Sequence, residues 1–176
     1  PLTVELHWDL VSGATSQFEV KAFWYQSKPL YGYQYIKQLT NYHTFYLMVL
    51  HGCRHNLDSL KHYLDIIQMI FLLREILDYK RLLWDAQSHL MKKRMIRTLS
   101  MVYAKFPFLD QIKPLPYKTS KAYWEYNEDE RLKKYINFID YQFLSYDSFK
   151  HTLIELKKWI IPSEREMRNE LGFDVN

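Results

Sequence analysis

Leu47 to Ile66 reads LMVLHGCRHNLDSLKHYLDI. Phe45, Met48, Val49 and Gly52 recur at helical spacing and predict a helix from Thr40 to His55, with Thr40 or Asn41 as its N-cap. Asn56 to Asp58 interrupts the pattern. Asp58 or Ser59 then caps a second, longer helix to about Asp78, whose inner stripe is Leu60, Leu64, Ile67 and Phe71. Two amphipathic helices joined by so short a break make a helical corner, and this sets the fold class.

Working outward, Leu82 to about Lys105 predicts one further helix. Lys105 to Asn127 holds Pro107, Pro114 and Pro116 and reads as a long surface loop. Glu128 to Ser145 and Ser148 to Ile161 predict two more helices. Pro162 and Ser163 interrupt, and Glu164 to Leu171 gives a last short helix ended by Gly172. Toward the other end, Thr3 to Trp8 (TVELHW) alternates apolar and polar residues and predicts a strand. Val11 to Ser16 reads as a loop, Ser16 to Gln26 as a short helix, and Tyr31 to Lys37 (YGYQYIK) as a second strand. The expected fold is mainly α: a bundle-like domain of about five to six helices over 38–176, preceded by a short β element of one or two strands within 1–37. Those strands are too few to stand as a sheet alone, so the chain is expected to be a portion of a longer protein.

Composition agrees. Among 176 residues, 48% are apolar and 17% aromatic, enough to bury a core and to exclude wholesale disorder. With 4 Gly and 6 Pro, an all-β sandwich would lack turn residues. The single Cys53 excludes a disulfide scaffold and any cysteine zinc finger, and a reducing, cytoplasmic setting is the expectation. The longest apolar run, Ile66 to Leu73, is broken by Gln68 and falls short of the roughly 18 residues a membrane span needs. Net charge is +4, a weak basic balance without the one-sided stripe of a dedicated nucleic-acid binder. No phosphate-binding P-loop, dinucleotide fingerprint or G-x-S-x-G nucleophile turn is present.

Four constellations carry possible chemistry. Glu5 leaves the polar face of the first strand, where a carboxylate suits a hard cation such as Mg²⁺; an ordinary solvent-facing Glu is the alternative. His51 and His55 are four apart, so they share one helix face at the spacing of two metal-binding imidazoles. A third donor would come from Asp65 or His62. Gly52 stands where a zincin needs Glu, and packed histidines at a helix end are the alternative. Arg54 and the cluster Lys92, Lys93, Arg94 and Arg97 could hold phosphates, or simply solvate a surface. Trp124 and Tyr126, in YKTSKAYWEY, could stack on a base or pin their loop to the core.

Three segments together resemble one family. VELHWDL (Val4 to Leu10), LMVLHGCRHNLDSLKHYLDI, and IIPSEREMRNELG (Ile160 to Gly172) are similar, in order, to segments of a family of uncharacterised nucleotidyltransferases in the DNA polymerase beta-like superfamily. His51, His55, Leu60 and Asp65 follow the helical signature. Pro162, Ser163 and Arg168 follow the C-terminal one. The resemblance implies a small mixed sheet carrying a Gly-Ser turn and an Asp-x-Asp pair, with a third carboxylate on a later strand and two Mg²⁺ ions that position a nucleoside triphosphate for in-line transfer. Glu5 would be that third carboxylate, catalytic and metal-holding, with His7 beside it on the strand. Arg54, Lys92 and Arg94 would face the nucleotide, and His51, His55 and Asp65 would orient the helical domain against the cleft. The Gly-Ser turn and the Asp-x-Asp pair are not in this sequence. The implied function is therefore the C-terminal part of a Mg²⁺-dependent nucleotidyltransferase, inactive alone, whose helices bind an acceptor or wall the cleft. The implied partners are a nucleotide and an acceptor, with an oligomer formed through the first strand and no membrane. A non-catalytic helical module for nucleic acid or protein, and a small metalloprotein using His51, His55 and Asp65, are the competing expectations.

Overall fold

The computed structural model describes residues 15–127 and 129–161. Among them the chain is mainly helical, with eight α-helices and one small sheet. Helix α1 (Val20–Tyr25) lies where a short helix was expected. Strands β1 (Lys28–Pro29) and β2 (Lys37–Gln38) form an antiparallel pair that precedes the main helical body. Tyr31 to Lys37 is therefore not a strand but mostly the turn between two strands. Tyr31 and Gly32 both take left-handed backbone (φ 48° and 82°), which closes the hairpin and leaves Tyr31, Tyr33 and Tyr35 exposed. The strand expected at Thr3 to Trp8, with Glu5 and His7, and the segment from Pro162 onward lie outside the described residues.

Helix α2 (Asn41–Arg54) is the centre of the body, packing on both α3 (Leu60–Leu73) and α5 (Lys92–Lys105). It starts where Thr40 accepts a hydrogen bond from the backbone of His43 at 3.2 Å, a side-chain cap. Phe45, Tyr46, Val49 and Leu50 are fully buried against Ile66 and Ile70 of α3 and Met95, Leu99 and Val102 of α5. Fully burying each such side chain contributes about 1.5–3 kcal/mol. The inner face of α3 is not the expected stripe. Leu60, Leu64 and Phe71 are exposed, and His62, Ile66, Met69, Ile70 and Leu73 face inward with Ile67.

The helix expected from Leu82 to Lys105 is two helices, α4 (Tyr79–Ser88) and α5. Leu90 takes a left-handed φ of 57° between them, and the amide of Met91 donates to the carbonyl of Ala86 at 2.7 Å to close the break. The loop from Lys105 contains a short turn, α6 (Leu109–Ile112). Helix α7 (Arg131–Ile139) runs into a π-helical turn (Asp140–Leu144), and α8 (Phe149–Ile160) folds back along it. No helix among the described residues is long and apolar enough to cross a membrane.

Candidate functional site

The corner between α2 and α3 brings three imidazoles together. His51 lies in the last turn of α2 and His55 is its C-cap residue, with ring centroids 4.7 Å apart. Asn56 and Leu57 then take left-handed φ values of 50° and 53° and reverse the chain in one tight turn. The amide of Leu57 donates to the carbonyl of Gly52 at 2.9 Å, and that of Asp58 to the carbonyl of His55 at 3.0 Å. Gly52 makes room for this reversal: a Cβ there would meet Leu57 Cδ2 at 3.0 Å and Ile66 Cδ1 at 3.1 Å. The turn seats His62, in the first turn of α3, against both other rings, 5.2 Å from His51 and 4.9 Å from His55. One ring nitrogen from each of the three lies within 4.8 Å of the others.

His62 is fixed in place. It is only 9% exposed, and its Nδ1 lies 3.1 Å from Asp58 Oδ1 and 3.2 Å from Ser59 Oγ. Ser59 occupies the N-cap position of α3 but makes no side-chain cap bond there, so its hydroxyl serves the histidine instead of the helix. Asp65, expected as a third donor, is not part of the group among the described residues.

Beside this corner opens a cleft of about 800 Å³. Asn56, Asp58, Tyr63, Lys105, Trp124 and Tyr126 are among its walls. Burial raises the Tyr63 phenol above its ordinary pKa, so it stays a neutral donor at the cleft wall. Trp124 pins its loop, as one of its two readings expects. Its indole donates to Asp140 at 3.3 Å, which pins the loop, and its ring lines the cleft.

The expected cation cluster fans out instead of converging. Arg54 is exposed at the end of α2, and its carbonyl accepts from the hydroxyl of Tyr141. The Lys92 ammonium donates to Gln87 at 2.9 Å, and Arg94 stacks over Tyr146 with its guanidinium carbon 4.0 Å from the ring centroid. Among the described residues none of Arg54, Lys92 and Arg94 lines the cleft. Arg97 turns inward. Its guanidinium donates to Asp140 at 3.0 Å, Asn56 at 2.7 Å and Asn137 at 2.6 Å. The sequence did hold a signal for this network: Asn137 and Asp140, three apart, interrupt the otherwise apolar and aromatic run from Tyr135 to Tyr141 (YINFIDY). Glu5 and His7, and with them Pro162, Ser163 and Arg168, lie outside the described residues.

No protein-family model, curated protein or solved structure matches this chain.

Proposed function

We propose that this chain is the C-terminal part of a Mg²⁺-dependent nucleotidyltransferase, and that its helical body walls the cleft that receives the acceptor. One observation carries the reading. His51, His55, Leu60 and Asp65, the residues of the helical signature, all fall on the α2–turn–α3 corner, and the turn within that corner borders the 800 Å³ cleft. Tyr63, Trp124 and Tyr126 give that cleft aromatic faces, and Lys105 and Lys121 share its wall with Asp58, Glu125 and Glu130, a lining of mixed charge suited to the base and hydroxyls of a nucleoside-bearing acceptor.

The described residues do not fit Mg²⁺. The one group among them able to hold a metal ion is three imidazoles, and Mg²⁺ takes oxygen donors. On this reading Mg²⁺ is held by Glu5 together with acids of the parent protein, and what the helical body supplies is acceptor binding. The test compares the 176-residue chain with the longer polypeptide of its reading frame, each incubated with Mg²⁺ and labelled nucleoside triphosphates. Transfer of label by the longer polypeptide alone, abolished by Glu5→Gln, is the expected result. Transfer that survives Glu5→Gln, or an upstream frame that encodes no Asp-x-Asp pair, overturns the reading.

A second reading, a protein-interaction module, draws on a different surface. Leu132, Tyr135, Phe149, Trp159 and Ile160 on α7 and α8 are each more than half exposed. A run of large apolar side chains in water marks a surface suited to another protein more than to nucleic acid.

A further inference from the structure

We propose that His51, His55 and His62 form a three-imidazole site for a divalent cation of the Zn²⁺ class, with Asp58 as the carboxylate that positions His62. The inference is independent of the nucleotidyltransferase reading, because it rests on the helix corner alone.

The donor set selects the metal. Three imidazoles without a carboxylate or thiolate suit Zn²⁺, or its spectroscopic substitute Co²⁺, and reject Mg²⁺. Distance supports the fit. Nitrogens bound to one tetrahedral Zn²⁺ at about 2.0–2.1 Å sit about 3.3 Å apart. The ring nitrogens of this trio are already within 4.8 Å of one another, so small side-chain rotations close the site without moving a helix. The two helices that carry them are held at the required spacing by the left-handed pair Asn56–Leu57 and by the absence of a side chain at Gly52.

The surroundings of His62 match those of a ligand. A metal-bound histidine commonly gives its other ring N–H to a carboxylate, which fixes its tautomer and turns its remaining nitrogen toward the metal. Asp58 Oδ1 stands 3.1 Å from His62 Nδ1 in that role, leaving Nε2 for the cation. Three protein donors leave a fourth position for water or a ligand oxygen, as in catalytic zinc sites. Asp58 also lines the cleft, so the carboxylate that orients His62 is in reach of whatever the cleft holds. A cation bound here ties the end of α2 to the start of α3.

The experiment uses the whole 176-residue chain, prepared without an oligohistidine tag and freed of metal, titrated with Co²⁺ and then with Zn²⁺ in competition. The expected result is one ion per chain, with visible absorption of tetrahedral Co²⁺ that Zn²⁺ displaces and Mg²⁺ does not. At a hundredfold excess of Zn²⁺ over its Kd, the Tm rises by about 5–10 °C. Asp58→Asn weakens binding about 10–100-fold. His55→Gln weakens it more, and since His55 is the least enclosed of the three its fold survives, as circular dichroism verifies. Asp65→Asn leaves binding unchanged. The proposal is overturned if no stoichiometric binding occurs, which leaves a packed imidazole trio, if His55→Gln and Asp58→Asn bind as the native chain does, or if Asp65→Asn weakens binding as much as His55→Gln.

Discussion

The body of α2 to α5 and the hairpin of α7, the π-helical turn and α8 are held by different forces. The body closes around a continuous apolar cluster running from Phe18 to Leu115. Among the described residues of 129–161, none belongs to that cluster. The hairpin keeps its own small aromatic contact, Phe138 with Trp159 at 5.5 Å and Phe143 with Trp159 at 6.0 Å, and leaves much apolar surface in water. It docks on the body through polar groups. Arg97 reaches Asp140 and Asn137, Asp147 accepts from the first amides of α5, and the Tyr141 hydroxyl donates to the Arg54 carbonyl. The lesson is one of separability. Apolar burial degrades gradually as contacts are lost, whereas a docked polar joint fails when one partner goes.

The sharpest way to break the comparison is Asp140→Ala. The Arg97 side chain is 7% exposed and that of Asp140 12%, so the change leaves a buried guanidinium without its counter-charge. Breaking a buried pair on one side costs about 3–5 kcal/mol. The hairpin can relieve this by opening and letting water reach Arg97. Amide exchange should therefore lose protection over 129–161 while α2 and α5 keep theirs. The double change Arg97→Met with Asp140→Leu should recover most of the loss. Uniform loss of protection in both regions would show that the joint is not separable.

The same contrast explains what could be read in advance. The start and length of α2 were legible because Thr40 and the Phe45–Val49–Gly52 spacing both point to one face. The face of α3 was not, since apolar residues surround most of that helix and two stripes compete. The break at Leu90 carries no Gly or Pro, and a left-handed leucine leaves no mark in composition. His62 joined the histidine pair through a turn of two left-handed residues, again without glycine, so spacing alone could not choose between His62 and Asp65. Arg97 read as one of four surface cations because its partners lie 40 and 43 residues away. Polar joints between distant elements leave little local pattern, whereas apolar faces repeat every turn.

A smaller effect tests the second contact of the joint. Helix α5 begins at Lys92 with Met91 at its N-cap, which offers no side-chain acceptor. Asp147, from the hairpin, accepts from the Lys92 amide at 2.5 Å and the Lys93 amide at 2.8 Å and acts as a cap supplied from outside the helix. A negative charge there also meets the positive end of the helix dipole. Asp147→Ala should cost about 1–2 kcal/mol in chemical denaturation. The first amides of α5 should exchange faster, and exchange in the rest of the body should change little. Unaltered exchange at Lys92 and Lys93 would remove Asp147 from the joint.

The smallest effect belongs to the body alone and is read through pH. His43 stacks on Phe23 at 3.8 Å, and its Nδ1 is buried without a hydrogen-bond partner. His89 shares a 2.8 Å hydrogen bond with the Tyr46 hydroxyl. Burial holds both imidazoles below their ordinary pKa of 6.5, aided at His43 by the charge of Arg81 and opposed at both by Asp85. Well above 6.5 the two rings are neutral whether the chain is folded or unfolded, and they add no pH dependence. As pH falls through 6.5 the unfolded chain takes up protons that the folded chain resists, so stability declines across and below 6.5 until the folded pKa values are passed. At pH 6 the loss is at most about 0.8 kcal/mol for each histidine. The native chain should show a Tm that drops between about pH 7 and pH 5.5, and His43→Leu should remove roughly half of the drop that the two rings cause. A Tm that stays flat over that range, or a drop untouched by His43→Leu, would mean that the buried aromatic end of the body accommodates a charged imidazole at no cost.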